Sequence, residues 1–293
     1  MENTTNTLGD KKTEEDIQRL RTWLQKQPHM PQHVDDELLV PYLCGTKSIE
    51  IAKQKLEAFF IMHTKHPDSF SFRFRDPLDP QFQDYCKMGQ MFILPNTTPE
   101  GYKVFMAVCL DFDKFDGFWS NVIMSMVLET AMMMYPDSPG LFLTFNCKNV
   151  DSRLMTKFGL SSTVFFLQYV QNAIPLKLKR MVVFNTPSFF DVFINTFVKP
   201  YAKKKLFDRI IFTSKGEEVL KEYLPIDILP CNIEGGGKAP STYELDAEWK
   251  RILVSRREYF KKCETFATDE TKRLPDDGNT YGVDGTFRVL AVD

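Results

Sequence analysis

Apolar side chains recur at helical spacing through the first 67 residues of the chain. Residues 1–12 are polar and predict a disordered tail. Thr13 comes next, with acidic residues in the following turn, and this pattern is typical of a helix N-terminus. Two further periodic stretches, 35–45 and 48–66, begin at N-cap residues and end at a glycine and before a proline. The pattern predicts a small helical module over 13–67.

Beyond residue 68 the pattern changes to short, continuous apolar runs of strand length. Five such runs are predicted to be strands: 91–95, 102–112, 141–147, 181–187 and 209–214. Stretches with helical periodicity separate them, at 119–135, 151–174 and 189–207. Apolar strands that alternate with helices indicate an α/β fold with a mixed, largely parallel sheet covered by helices. We expect this domain to span 68–240.

The remaining residues, 241–293, are predicted to be a C-terminal helix and tail. The helix begins with Ser-Thr-Tyr-Glu at 241–244, which has the spacing of a capping box. Just before it, Gly-Gly-Gly-Lys at 235–238 resembles part of a phosphate-binding loop. The first glycine and the final Ser or Thr of that motif are missing, so we predict a turn.

Charge and cysteine spacing exclude several classes of protein. Because 37 basic and 39 acidic residues give a net charge of -2, any attraction to an anionic membrane must come from a local patch, and no nucleic-acid partner is expected. The six cysteines contain no C-x-x-C pair and indicate reduced thiols. The N-terminus lacks the apolar core of a secretory signal, and no apolar run reaches the ~18–20 residues of a membrane span. We expect a cytoplasmic protein.

Residues suited to catalysis are sparse in the predicted α/β domain. All four histidines lie within the first 66 residues, so that domain has none for a Ser-His-Asp or Cys-His site. The chain has no G-x-S-x-G sequence, no dinucleotide fingerprint after a strand and no Walker A motif. We therefore expect no catalytic residues, no metal and no cofactor, and a function in binding.

Phenylalanine and methionine are unusually abundant, with 26 and 13 residues respectively. Two aromatic groups show helical spacing, one within 165–174 and one within 189–197. Such a stripe most often packs in a core, but Phe and Met also line adaptable apolar pockets, and both interpretations stay open. A basic stretch, 199–215, follows the second group with six Lys or Arg against one Asp.

The stretch 174–214 resembles the signature of the CRAL-TRIO lipid-transfer family. The matching motifs occur in the family's order: Pro-Leu-Lys at 175–177, Asn-Thr-Pro at 185–187, Lys-Pro at 199–200 and Arg-Ile at 209–210. The family's closing Leu-Pro and Gly-Gly are found at 229–230 and 235–236, with Asn-Ile-Glu in place of Glu-Tyr between them. Each motif is loose alone, but their order and spacing make the set specific.

The helical module resembles the family's N-terminal module as well, so the resemblance covers about residues 13–262. Five positions match that module: Leu38, Leu39, Leu43, Lys47 and Ala52. At two others, Val40 and Cys44 occupy positions where the family carries arginine.

The resemblance implies a monomeric carrier that exchanges one small hydrophobic ligand at membranes. It places nine residues at an apolar cavity: Ile123, Val127, Leu141, Phe166, Tyr169, Val170, Ile174, Leu178 and Met181. It implies a mobile gate with three aromatic residues: Phe189, Phe193 and Phe197. It also assigns phosphoinositide headgroup binding to Lys177, Lys179 and Arg209.

The ligand classes that fit such a carrier are retinoids, tocopherols, carotenoids and similar terpenoids, and the protein would meet anionic membranes only transiently. A regulatory or interaction module that binds phospholipid without transferring cargo is the alternative. An α/β enzyme is the weakest interpretation, because the chemistry of a catalytic site is missing.

Overall fold

The computed structural model describes the backbone of residues 6–275 and the side chains of residues 14–275. Six helices precede the sheet: α1 Asn6–Gln25, α2 Asp36–Gly45, α3 Ile49–Lys65, α4 Pro67–Phe70, α5 Phe72–Arg75 and α6 Pro80–Tyr85. The first begins at Asn6 and not at Thr13, so residues 6–12 of the predicted disordered tail are helical. Residues 1–5 lie outside the described part.

Local signals set the bounds of α3 as the sequence predicted. The Ser48 hydroxyl caps its N-terminus by accepting from the Ile51 amide. At the other end Pro67 occupies the first turn of α4, because proline has no N–H to continue the α3 ladder.

Within residues 6–275, five strands form one sheet: β1 Gly89–Ile93, β2 Lys103–Cys109, β3 Leu141–Asn146, β4 Leu178–Phe184 and β5 Ile210–Phe212. Their spatial order is the order of the chain. The β1 strand runs antiparallel to β2, and the other three pairings are parallel. The mixed, largely parallel sheet predicted from the apolar runs is confirmed.

Between β2 and β4 lie three helices and a π-helical turn: α7 Gly117–Met134, α8 Leu154–Lys157, α9 Gly159–Gln168 and the first π turn, π1, at Tyr169–Ala173. The predicted single helix over 151–174 is therefore three segments. Asp116 caps α7 through the Trp119 amide, at 3.0 Å. Nearly every residue of α7 is buried, so this helix forms the centre of the hydrophobic core.

The C-terminal part contains α12 Thr242–Ser255 and α13 Arg257–Lys262. Between β4 and β5 lie two short helices, α10 Phe190–Phe193 and α11 Lys204–Phe207. Ser241 and Glu244 form the predicted capping box, with the Glu244 carboxylate accepting from the Ser241 amide at 2.8 Å. The Trp249 indole donates to the Ile93 carbonyl at 3.0 Å, which attaches α12 to β1. Among residues 6–275, no helix is both long and apolar enough to cross a membrane.

A buried ion pair joins the helices behind the sheet. Arg75 and Glu129 are fully buried, and Arg75 Nη2 lies 2.9 Å from Glu129 Oε2. The Glu129 carboxylate also accepts from the hydroxyls of Tyr169 at 3.0 Å and Tyr259 at 3.2 Å. Burial is the largest single influence on Arg75 and lowers its pKa, but Glu129 together with Cys263, Tyr259 and Tyr169 outweighs burial, so the pKa of Arg75 is raised. The cluster ties α5, α7, π1 and α13 together.

Candidate ligand cavity and its cover

An apolar cavity of about 170 Å³ lies between the sheet, α9 and the segment that follows β4. Alternate strand residues form its floor: Ala107, Cys109, Phe145, Met181, Val183 and Phe212. Because successive side chains of a strand point to opposite faces, a residue such as Met106 instead lines a second pocket on the other face. The floor lies toward the carboxyl ends of the parallel strands.

The polar side chains of the wall are largely bonded to the protein. The Asn121 amide donates to the Ser162 carbonyl at 3.0 Å, and the Thr163 hydroxyl donates to the Gly159 carbonyl at 2.7 Å. Asn146 donates to Glu217 and accepts from the Asn185 amide. With these bonds formed, the cavity presents mainly hydrocarbon and aromatic surface, which suits an apolar ligand.

Two thiols belong to this apolar wall. Burial raises the pKa of Cys109 to about 11 and that of Cys147 to about 12. Both thiols therefore stay protonated at neutral pH, and a protonated buried thiol behaves as a small apolar group. Within residues 14–275, no group of three or more His, Cys, Asp or Glu is placed to hold a metal ion.

The cover of the cavity is the segment 190–198, called the cover segment here. It consists of α10, Phe190–Phe193, and the second π turn, π2, Ile194–Val198. Phe190, Phe193 and Val198 line the cavity, and the Phe193 ring lies 5.4 Å from the ring of Phe190 and 6.3 Å from that of Phe158. The cover therefore closes over the cavity with interlocking rings.

The π2 turn changes which residues face inward. The Lys199 amide donates to the Ile194 carbonyl at 2.8 Å, a five-residue bond that widens the turn. Side chains five apart, Phe193 and Val198, consequently share the cavity side. The helical spacing had placed Phe189, Phe193 and Phe197 together on one face. Of these three only Phe193 lines the cavity, while Phe189 and Phe197 are half-buried beside it.

Of the nine residues expected at the cavity, Phe166 and Met181 line it. Seven do not, and the structure places each of them elsewhere: Ile123, Val127, Leu141, Tyr169, Val170, Ile174 and Leu178. Leu141 and Leu178 begin their strands, whereas the cavity floor lies toward the strand ends. In α7, Val127 is fully buried in the core, and Ile123 lines a small separate cavity beside α12.

The other three of the seven belong to π1 or follow it directly. Tyr169 points to the Glu129 carboxylate, and Val170 and Ile174 are buried where π1 packs against α3. The face that carries Tyr169, Val170 and Ile174 is therefore apolar, as the sequence predicts, but it packs against the rest of the core and the N-terminal helices and not against the cavity. Residues that the sequence analysis missed, such as Ala107 and Val183, could have been found from strand alternation.

The three basic residues assigned to a headgroup surround the start of β4. Lys177 and Lys179 are exposed on either side of Leu178, and the Arg209 guanidinium donates to the Leu178 carbonyl. The Lys179 ammonium lies 4.7 Å from the centre of the Tyr102 ring. The structure thus brings the three side chains to one edge of the sheet.

The end of α2, which carries Cys44, approaches the same edge. A Cβ on Gly45 would lie 2.9 Å from the Pro175 carbonyl oxygen, so only glycine allows this close approach. Cys44 is exposed there and adds no positive charge, and neither does Val40 one turn earlier. The three basic side chains therefore come from β4 and from the residues that directly precede β4 and β5.

An α/β sheet with an apolar cavity under an aromatic cover defines a lipid-binding class of protein. Residues 87–235 match the CRAL/TRIO domain, and residues 10–82 match the Pinta-like UBA domain. The chain belongs to the CRAL/TRIO family, whose members are generally lipid-binding carriers.

Similar proteins agree with this assignment. "Alpha-tocopherol transfer protein-like" of Mus musculus and its Homo sapiens counterpart are each 27% identical to this chain over 259 residues, which is 84% of this chain and 71% of theirs. The crystal structure of Sfh5 shares the fold, with a TM-score of 0.53 at 13% identity over 88% of this chain and 99% of that one.

Proposed function

We propose that this protein is an intracellular carrier, not an enzyme, which binds one small hydrophobic molecule in the apolar cavity and exchanges it at membranes. A retinoid, tocopherol, carotenoid or similar terpenoid would fit this chemistry. The single observation that supports the proposal most is the cavity itself, whose strand floor is apolar and whose cover is aromatic. The names of the similar proteins of mouse and human agree with cargo transfer.

Binding such a molecule requires the cover to move. Drug-sized ligands occupy pockets of roughly 300–1,000 Å³, more than the cavity of about 170 Å³ provides. Phe190 and Phe193 fill the space between floor and solvent, so their displacement would supply the missing volume. Exposing each ring to water would cost on the order of 1.5–3 kcal/mol. A bilayer that receives the rings would remove this cost, which favours opening at a membrane.

The cover also carries apolar surface that already faces outward. Val192 is 58% exposed on the cover segment, and Leu160 is 43% exposed at the start of α9. In the proposed open state Val192 and Phe197 enter the bilayer together with the released rings. The basic side chains at the sheet edge, Lys177, Lys179 and Arg209, would hold anionic headgroups at about 1 kcal/mol for each basic residue near the surface.

Extraction of the purified protein with organic solvent, followed by mass spectrometry, tests the proposal. An apolar molecule at about one per chain, or one-to-one uptake of added retinol or α-tocopherol, is the expected result. A phospholipid alone would favour the regulatory module that keeps its lipid without transferring cargo, which the basic residues around Leu178 also suit. Failure to retain any lipid, together with no uptake of either probe, would refute the carrier.

A further inference from the structure

The chain that leaves the cover segment is fastened to the rest of the protein at Lys203. The Lys203 backbone amide donates to Gln171 Oε1 at 2.8 Å, and its ammonium donates to Asn172 Oδ1 at 2.9 Å. Both acceptors belong to π1, the turn that ends the α9 wall of the cavity. The end of the cover and the end of the wall are therefore joined by two directional bonds.

The π1 turn is itself held by the N-terminal helices. The buried Tyr42 hydroxyl of α2 donates to the Ala173 carbonyl at 3.0 Å. From α3, the Lys55 ammonium donates to the carbonyls of Ile174 at 2.7 Å and Gln171 at 3.2 Å. Burial and, to a smaller extent, the Lys203 ammonium lower the pKa of Lys55 to about 8. Helices α2 and α3 thus hold the backbone of π1, the turn that carries Gln171 and Asn172.

Other polar contacts of this region stay local. The Asn195 amide donates to the Asp191 carbonyl inside the cover segment itself. Among the described residues, the two bonds of Lys203 are the side-chain hydrogen bonds that join 190–207 to another element. The other contacts of 190–207 with the rest of the protein are packing contacts of apolar side chains, which are non-directional. The two Lys203 bonds therefore hold the chain at the end of the cover segment in one position against π1 while the cover is closed.

We infer that Gln171, Asn172 and Lys203 form a latch by which the N-terminal helices keep the cover closed, with Lys55 as its positioning residue. This inference rests on the proposed carrier function, because a latch has a role only if the cover opens. It assigns the N-terminal helical module a second task besides packing. That module would set how often the cavity opens.

The latch is tested by the rate at which bound NBD-labelled tocopherol leaves the protein for phosphatidylcholine vesicles that contain a quencher. Asn172→Leu removes the acceptor of the ammonium and keeps the shape of the side chain. We expect transfer to become about threefold to tenfold faster, because a hydrogen bond to a charged group that is partly exposed contributes on this scale. Lys55→Met should give a smaller acceleration in the same direction.

Asn96→Leu is the matched control, since it makes the same exchange at an exposed asparagine between β1 and β2, outside the cover segment, the cavity wall and the latch. It should transfer at the wild-type rate. Lys203→Met should accelerate transfer as Asn172→Leu does. The double variant that combines Asn172→Leu with Lys203→Met should be no faster than either single variant. Equal rates for Asn172→Leu and wild type would overturn the latch while leaving the carrier intact.

A second readout does not need a ligand. Hydrogen exchange followed by mass spectrometry reports the opening of backbone amides in peptides that cover 195–207 of the unliganded protein. The latch predicts faster exchange in Asn172→Leu than in Asn96→Leu. If wild type binds no tocopherol probe, the carrier proposal fails for that ligand class, and the exchange difference still decides whether the latch exists. Equal exchange in the two variants would refute it.

Discussion

The buried ion pair gives the sharpest prediction about stability. Replacing Glu129 with leucine leaves the Arg75 guanidinium fully buried without its carboxylate. The Tyr259 hydroxyl loses its Glu129 acceptor at the same time, and the Tyr169 hydroxyl keeps only the longer bond to the Ser125 carbonyl, at 3.4 Å. The substitution therefore affects α5, π1 and α13 together, although it changes one residue of α7.

The size of the effect follows from these contacts. An uncompensated buried charge costs about 3–5 kcal/mol, and a buried hydroxyl without a partner costs about 1–3 kcal/mol. The contributions are not additive, so we expect Glu129→Leu to lose on the order of 5 kcal/mol of the free energy of unfolding. Domains have only about 5–15 kcal/mol in total. Much of the Glu129→Leu protein should therefore be unfolded or insoluble.

Replacing both partners should restore much of the loss. Arg75→Met with Glu129→Leu removes the charge as well as its partner and keeps the space filled, so it should be more stable than Glu129→Leu alone. Glu258→Leu, at a side chain that is 81% exposed, is the matched control and should change the free energy of unfolding by less than about 0.5 kcal/mol. Urea unfolding followed by tryptophan fluorescence measures all three. A Glu129→Leu protein within 1 kcal/mol of wild type, or a double variant less stable than the single one, would refute the reasoning.

Three further predictions concern the cavity wall, the basic edge and the helical module. Phe166→Asp puts an unpaired charge in the cavity. The variant should therefore lose its ligand affinity, measured by fluorescence titration, while its circular dichroism stays unchanged. Retained affinity would contradict the placement of Phe166 in the ligand site. The double variant Lys177→Ala, Lys179→Ala should bind phosphoinositide vesicles more weakly than wild type in a sedimentation assay. Added salt should weaken the binding of wild type, because exposed charges are screened over ~8–10 Å. Equal binding of wild type to neutral and anionic vesicles would exclude the headgroup site. Burial lowers the pKa of His63 from 6.5 to about 3, so the unfolded chain binds a proton that the folded protein does not. The free energy of unfolding should therefore fall by up to about 1.4 kcal/mol per pH unit from 6.5 toward 3, and His63→Phe should show a shallower slope in urea titrations; an unchanged slope would refute the assignment.

The fold could be predicted from the sequence further than the site could. The strands can be predicted because continuous apolar runs of strand length, such as 141–147 and 181–187, are typical of a parallel sheet that is buried on both faces. Caps at Ser48 and Ser241 could be predicted because capping depends on residues within one turn. These signals are local, and the structure confirms them.

The site depends on contacts that are distant in the chain. A helical period of 3.6 cannot show where a helix widens into a π turn, as it does at π1 and π2. Because π2 is wider, Val198 lines the cavity and Phe197 lies beside it. The sequence around Tyr169 does not show that its hydroxyl bonds to Glu129, because that partner is 40 positions away in the chain. Nothing in the local pattern around Lys203 indicates that it bonds to Gln171.

The central claim is that the space between the sheet and the cover segment holds one apolar ligand, and filling that space tests it most directly. Ala107, 7% exposed, lies on the cavity floor, and Val192 points outward from the cover at 58% exposure. The measurement is the dissociation constant and stoichiometry of a fluorescent tocopherol analogue for wild type, Ala107→Trp and Val192→Trp, each shown to be folded by circular dichroism. The account predicts one molecule per wild-type chain, at least about tenfold weaker binding for Ala107→Trp, and near wild-type affinity for Val192→Trp. Undiminished one-to-one binding by a folded Ala107→Trp protein would contradict it.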